Sequence, residues 1–459
     1  SGNRQWKEGW VGLRLIHPSS FPPCVPSDQR ETIPAVKGLS LIQPVDPAQL
    51  AKDTLRIYEI CDGCRRCFNL CPSFNTLLDG IDRHDGHVEK VMAAEHERVV
   101  DECYYCKLCY NHCPYTPPHQ YALDFPKLMV LWKQRYASER GVRWRDWLLI
   151  QTDLIGRLST ISARLSNWVL GLGGVRRVME RVIGVHRDRK IMHFSTETFT
   201  RWFQRRPIPA SLKPQQKKVA LFASCLVNYQ ASDVGKATVQ VLEKNGVQVV
   251  VPEQQCCGMP SFDIGDTVAM QKAAQANLRS LLPWVEQGYD VVVPVPSCSL
   301  MLKREYPELL GGDEPKKVSA RTFDVCEYLM KLKREGTLAM DFVSNPGRVA
   351  YQIPCHLRDQ NIGFKSKELM ECAGAQVEVI EKCSGHDGSW SAKTEFFPLS
   401  MTIAKKAVRV IEQAPADIVA SDCPLAGLQL DQAGATSHVG GKATKHPIQI
   451  VRDAYGLPS

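Results

Sequence analysis

Cys61-Asp62-Gly63-Cys64-Arg65-Arg66-Cys67-Phe68-Asn69-Leu70-Cys71-Pro72 decides how this chain is read. Four thiols fall at spacings of two, two and three residues, and a proline closes the run. Cys103, Cys106, Cys109 and Cys113, followed by Pro114, repeat the pattern without deviation. Spacing this short lets consecutive backbone amides curl around the sulfurs, while the proline ends the turn and the fourth thiolate crosses over. Zinc knots use paired Cys-x-x-Cys and have no need of an interlocked fourth ligand. The pattern predicts iron–sulfur clusters.

This is the bacterial two-cluster ferredoxin spacing, in which three cysteines of a motif hold one 4Fe–4S cluster and the fourth ligates the other. On that rule Cys61, Cys64, Cys67 and Cys113 bind the first cluster, and Cys103, Cys106, Cys109 and Cys71 bind the second.

Outside the motifs the composition is that of an ordinary globular chain. Its 459 residues suggest about three domains at roughly 150 residues each. With 44% hydrophobic and 23% charged residues, disordered and fibrous classes are excluded. No apolar run approaches the 18 or so residues of a membrane span. The first residues, Ser-Gly-Asn-Arg-Gln-Trp, lack the apolar segment of a signal peptide, and eight of the 18 cysteines form two tight groups at metal-ligand spacings, so a reducing cytoplasm is expected.

Five regions follow from the pattern: a proline-rich extended arm over 1–50, the ferredoxin-type module over 51–130, a basic helical connector over 131–216, and two similar domains over 217–345 and 346–459. Cys24 stands alone in the arm and reads as a free thiol. Residues 133–218 carry 19 Lys and Arg against 6 Asp and Glu, a net +13, so the rest of the chain sums to −5 of the overall +8.

The last two regions read as a duplication. Strands are expected over 219–224, 247–252 and 289–294, with helices over 233–244 and 267–287, and the strands run into Cys225, Cys256-Cys257-Gly258 and Cys298. Strands over 348–353, 376–380 and 417–420, with helices over 365–372 and 398–414, run into Cys355, Cys383-Ser384-Gly385 and Cys423. Alternating strands and helices imply parallel sheets with right-handed crossovers, whose sites lie at the carboxyl ends of the strands. The fold class expected is multidomain α+β: a helical two-cluster module, a basic helical connector and two duplicated α/β domains with parallel strands.

This order of parts resembles the iron–sulfur C subunit of anaerobic glycerol-3-phosphate dehydrogenase and, more distantly, the B and D subunits of heterodisulfide reductase, over about residues 55–450. Besides the cysteines, the resemblance rests on Thr152-Asp153-Leu154-Ile155-Gly156, Phe199-Thr200-Arg201-Trp202, Cys225-Leu226-Val227-Asn228-Tyr229, Arg304-Glu305-Tyr306-Pro307-Glu308 and Pro354-Cys355-His356. In the B protein of heterodisulfide reductase each Cys-Cys-Gly repeat supplies five cysteines to a noncubane 4Fe–4S cluster. Here the first repeat keeps four, Cys225, Cys256, Cys257 and Cys298, with Met301 where a fifth would stand. Four thiolates suffice for a third iron–sulfur cluster, with zinc or a metal-free thiol group as the alternatives. The second repeat is degenerate: it keeps Cys355, Cys383 and Cys423 but has Ser384 and Ala426 at the other positions. Either His386 completes an iron–sulfur or zinc site there, or the site is merely structural. His356 is expected to orient rather than ligate.

Cys326 and Cys372 fall within helical patterns and read as small core residues, and Gly171-Leu172-Gly173-Gly174 follows no strand, so it makes no nucleotide loop. No flavin, nicotinamide or hydrolase fingerprint is present, and no catalytic residue is assigned. The resemblance implies an electron-transfer role, linking a flavoprotein dehydrogenase, or similar redox protein, to a quinone or other acceptor. The alternatives are a disulfide or persulfide reductase and an electron donor to a peroxide-handling partner such as a rubrerythrin. In the connector, Trp144, Trp147, Trp168 and Trp202 interleave with arginines, a pattern suited to anionic lipid on the inner face of the membrane or to an acidic partner; nucleic acid is disfavoured.

Overall fold

The computed structural model describes residues 46–207 and 217–458. Most of the arm, with Cys24, lies outside the described residues.

The first cysteine motif begins inside a helix, Pro47–Cys64, and leaves it through Arg65 in the left-handed region. Its last cysteine, Cys71, is the extended residue that precedes the helix Pro72–Arg83, with the proline at the first helical position, where its missing N–H is harmless. Within the two motifs Arg65, Asn69, Tyr105 and Lys107 all take positive φ, the repeated reversal that turns successive residues around one centre. Beneath the motifs, Leu50, Ile57, Tyr58, Phe74, Leu77, Leu78, Phe125 and Leu128 form a closed core. The helix Phe125–Arg140, capped by Asp124 accepting from the Lys127 N–H at 3.0 Å, completes the module.

The connector is a series of short helices: Trp144–Ile150, Thr152–Ile161, Ala163–Gly171, Gly173–Ile183 and Phe199–Arg205. They bury little. Trp144, Trp147, Leu154, Leu158, Ile161, Leu165, Trp168, Val178 and Val182 all stand out from the surface, Ile161 with 82% of its area exposed.

Two parallel sheets follow, in keeping with the expected duplication. In the first lobe β1 (Lys218–Leu221), β2 (Gln248–Val250), β3 (Asp290–Val293) and β4 (Thr322–Asp324) lie in the order β2-β1-β3-β4. In the second lobe β5 (Arg348–Gln352), β6 (Gln376–Ile380) and β7 (Ile418–Ala420) lie in the order β6-β5-β7. All pairings are parallel. The central strands β1 and β3 are almost wholly buried, the mark of a sheet covered on both faces. In β5 the alternation sorts the cores: Val349 and Tyr351 join Met370 and Ile450 on one face, and Ala350 joins Ala407, Val408 and Ile411 on the other.

Every cysteine of the Cys-Cys-Gly pattern stands after the carboxyl end of a strand, as the crossover argument predicts. The sequence did not reveal β4, a three-residue strand that extends the first sheet and has no counterpart in the second.

Candidate metal centres

The structure gathers the ferredoxin-type cysteines around two cavities. One is lined by Cys61, Cys64, Cys67, Cys109 and Cys113, with Phe74 and Phe125 among its apolar walls. The other is lined by Cys71, Cys103, Cys106 and Cys109. Each motif thus lends its fourth cysteine to the other cavity. Burial, and after it the neighbouring thiolates, push the Cys61 thiol up, and burial brings Cys67 and Cys103 to about 11. Thiols so buried become thiolates only where metal charge compensates them.

The spacing of these sulfurs is a test of what fits. Tetrahedral zinc at about 2.3 Å from each sulfur draws the sulfurs to about 3.8 Å from one another. Among the described residues no three cysteines have their sulfurs all within 4.8 Å of one another.

In the first lobe Cys225, Cys256, Cys257 and Cys298 form a chain of neighbouring sulfurs. Cys256 is the acceptor: hydrogen bonds from Cys225 and Cys257 hold it well below the usual thiol range. Around this group lies a layer of side chains that orient the backbone. Asp153 accepts the Cys256 N–H at 2.7 Å, and the Thr152 hydroxyl faces Cys225 and Cys256. Asn277 donates to the Cys256 carbonyl at 3.1 Å and accepts the Gln255 N–H at 2.8 Å, while the Tyr306 hydroxyl donates to the Cys257 carbonyl at 2.9 Å.

These contacts give roles to the segments quoted for the resemblance. The helix carrying Thr152 and Asp153 lies so close to the Tyr229 ring that a Cβ on Gly156 would come within 2.3 Å of it. Asn228 accepts the Thr200 N–H and hydroxyl, both at 3.0 Å, which ties Phe199-Thr200 to the same wall. Beside Cys225 opens a polar cavity whose lining includes Asp153, Arg157, Thr200, Gln204 and Asn228. None of these positioning roles was deduced from sequence, because each depends on a partner far away in the chain.

In the second lobe Cys355, Cys383 and Cys423 come together: burial raises Cys355 most, with Cys383 and Cys423 the next contributors. Ser384 and Ala426 are buried and bring no sulfur. The glycine after the pair is retained in both repeats because the backbone there is left-handed, with φ +88° at Gly258 and +70° at Gly385. His386 is held through Nδ1, 3.1 Å from the Arg189 guanidinium and 3.2 Å from the Ser391 hydroxyl. Arginine only donates, so Nδ1 is the accepting nitrogen in this contact. Asp387, the next residue, acts on both Cys355 and Cys383, and its Oδ2 is buried without a partner. This carboxylate was not singled out in the sequence.

His356 acts as a bridge. Its Nε2 lies 3.0 Å from the Tyr105 carbonyl of the second ferredoxin-type motif, and its Nδ1 lies 2.8 Å from the Ser297 hydroxyl beside Cys298. Lys107, inside the same motif, pairs with Glu305 of the first lobe at 3.2 Å and Asp359 of the second at 3.0 Å. Tyr104 places its hydroxyl 3.4 Å from Cys383 Sγ, and Cys106 feels both Cys355 and Cys383. Cys423 in turn feels Cys298. The second-lobe thiols therefore stand between the ferredoxin-type module and the first-lobe group, a placement the sequence order conceals.

Among the described residues no helix is long and apolar enough to cross a membrane. Comparison with known proteins agrees with the parts. A Citrate utilization protein B Fer4-like domain matches residues 53–139, and a cysteine-rich domain (CCG) matches twice, at 219–303 and 349–431. These domains define the class: an iron–sulfur protein of oxidoreductase type, with a Fer4-like module followed by paired cysteine-rich domains. Relatives include the C subunit of anaerobic glycerol-3-phosphate dehydrogenase from Escherichia coli (strain K12), 29% identical over 68% of this chain and 77% of the relative. Lactate utilization protein A of Geobacillus thermodenitrificans (strain NG80-2) is 31% identical over 52% of this chain and 97% of its own length. The B subunit of fumarate reductase (CoM/CoB) from Methanothermobacter marburgensis is 28% identical over 52% of this chain and 46% of the relative. The chain belongs to the family of the iron–sulfur C subunit of anaerobic glycerol-3-phosphate dehydrogenase and the B and D subunits of heterodisulfide reductase.

Proposed function

We propose that this chain is an electron-transfer subunit that relays single electrons between a flavoprotein dehydrogenase, or a similar redox protein, and a quinone or other acceptor. The observation that carries the reading is the file of thiol groups: Cys61, Cys64, Cys67 and Cys113, then Cys71, Cys103, Cys106 and Cys109, then Cys355, Cys383 and Cys423, then Cys225, Cys256, Cys257 and Cys298. The first two groups are proposed to hold 4Fe–4S clusters and the last a third iron–sulfur cluster. Cys355, Cys383 and Cys423 are proposed to hold iron–sulfur or zinc, with His386 as the fourth ligand and the Asp387 carboxylate beside them. A 4Fe–4S cluster supplies one-electron exchange at a potential set by burial and by hydrogen bonds to its sulfurs, within roughly −700 to +450 mV.

The protein's own groups do the rest. Phe74 and Phe125 line both of the module's cavities with apolar surface. Asp153, Asn277 and Tyr306 fix the Cys256-Cys257 backbone. The cavity beside Cys225 favours a small acceptor at the first-lobe end, and the exposed Trp, Leu and Ile side chains of the connector, set among Arg157, Arg164, Arg177 and Arg181, suit an anionic membrane surface beside it. That cavity also keeps a second reading in view, direct reduction of a small disulfide or persulfide at the first lobe.

Iron and sulfide analysis of protein purified without oxygen, with electron paramagnetic resonance of the same sample, tests the proposal. About twelve irons per chain are expected, four for each four-iron centre; about eight would confine the redox work to the ferredoxin-type module. Turnover of a small disulfide with a viologen donor would favour the second reading.

A further inference from the structure

Away from all these cysteines, the junction of the two lobes holds a second kind of donor set. Asp324 ends β4, Cys326 lies in the first turn of the following helix Val325–Arg334, and Asp422 follows β7 in the second lobe. All three are wholly buried. Their ligand atoms lie within 4.8 Å of one another, and theirs is the one such trio among the described residues. A core thiol beside two carboxylates is not what a hydrophobic pattern around Cys326 leads one to expect.

The surroundings of the two carboxylates fill the space around them but leave their charge uncompensated. Asp324 spends Oδ1 on the Cys326 N–H at 2.9 Å, as the cap of its helix, while its Oδ2 is buried with no hydrogen-bond partner. Asp422 is oriented by the Tyr351 and Ser366 hydroxyls, one on each oxygen. Lys303, the cation that approaches Asp324, is engaged by Glu327 at 2.6 Å and Gln360 at 3.3 Å. Two carboxylates brought together out of water need either a shared proton or a compensating cation. One sulfur and two oxygens form a donor set that zinc accepts, and ligating carboxylates are commonly held by outer hydrogen bonds of the kind Tyr351 and Ser366 supply.

We infer that Asp324, Cys326 and Asp422 bind a structural divalent cation, zinc, that staples the first lobe to the second. Because Asp422 immediately precedes Cys423, the staple would also fix Cys423 against Cys298. The inference stands apart from the electron-transfer reading, since it needs no cluster and no redox step.

The test uses the full chain, purified without oxygen after growth with zinc, with zinc, iron and sulfide measured together and the zinc environment read by X-ray absorption. The wild type is expected to carry about one such zinc per chain, with oxygen and sulfur in its shell at about 2.0–2.2 and 2.3 Å. Asp324→Asn keeps the Oδ1 helix cap, and Cys326→Ser changes one atom. Both are expected to lower this zinc at least fivefold while iron, sulfide and the cluster signals stay at wild-type levels. Three results would each overturn the site: a wild type that takes up no zinc even when zinc is added, a shell of sulfur alone, or full zinc retention in both variants. If either variant fails to fold, Asp422→Asn takes its place with the same readout.

Discussion

The two lobes began as the same device and now differ in a telling way. The first keeps four cysteines, a fourth strand and a surrounding layer in which Asp153, Asn277 and Tyr306 hold the Cys256-Cys257 backbone. The second keeps three cysteines of the pattern, with three strands and serine at the pair, yet its thiols are the ones that adjoin Cys106 and Tyr104 of the ferredoxin-type module. Loss of ligands has not brought loss of position. A degenerate repeat that stands between two others still determines how they are spaced and what lies between them.

The largest effects should come from cutting the two lobes separately. Cys257→Ser is expected to remove the first-lobe centre, about four irons, while leaving the ferredoxin-type pair intact. Cys383→Ser should leave all first-lobe iron in place and alter only the metal held by the second lobe. Iron analysis and paramagnetic resonance of the two variants decide this; equal losses in both would mean that the lobes share one centre.

Acid should act on the joint between the lobes. His446 reaches across to the Pro294 carbonyl at 3.0 Å, and burial holds its pKa down at about 4 against an ordinary 6.5. A lowered histidine is neutral when folded but takes up a proton once unfolded, so its contribution is complete above about pH 6.5 and is lost as pH falls toward 4. For His446 the loss amounts to at most ~3.4 kcal/mol at 1.36 kcal/mol per pH unit. Chemical denaturation of the metal-loaded protein across that window should show stability falling, and His446→Gln should flatten the curve.

A third change acts on the first lobe alone. Gly156→Ala places a Cβ against the Tyr229 ring and should cost about 1–3 kcal/mol, read as a shift in the denaturation midpoint. It should also loosen the helix that brings Asp153 to Cys256, so the first-lobe signal should broaden while the second lobe is unaffected. An unchanged midpoint would mean that the connector helix is not seated on this lobe.

That helix marks the limit of what the sequence discloses. The strand ends and the cysteines were legible because each depends on local pattern: a β-branched run, a crossover, a thiol at the strand terminus. The connector reads as a docking surface because its charge and tryptophans are visible in one dimension. The exposed face is indeed there, but the opposite face carries Thr152, Asp153 and Gly156 into a site formed by residues 225–298. The order of the thiol groups was hidden for the same reason, since Tyr104 meets Cys383 across 279 positions. His386 stands out in the sequence as a neighbour of Ser384, but adjacency in sequence says nothing of Arg189, whose guanidinium lies 3.1 Å from its Nδ1.

The subtlest difference between the lobes is electrostatic, and Asp153→Asn isolates it. The amide matches the carboxylate in shape and still accepts the Cys256 N–H, so the backbone should stay in place. What disappears is one negative charge beside a thiol group already rich in charge. A centre that gains an electron gains negative charge, so removing a nearby anion favours its reduced form and raises its potential. The first-lobe signal should therefore titrate at a higher potential in this variant, while the ferredoxin-type signals remain where they were. The hydrogen bond from an amide N–H to a charged acceptor contributes about 1.5–3 kcal/mol, against about 1 for a neutral one, so a small loss of stability should accompany the shift. A shift of the ferredoxin-type signals by the same amount would place Asp153 in the field of the whole chain instead of at the first lobe.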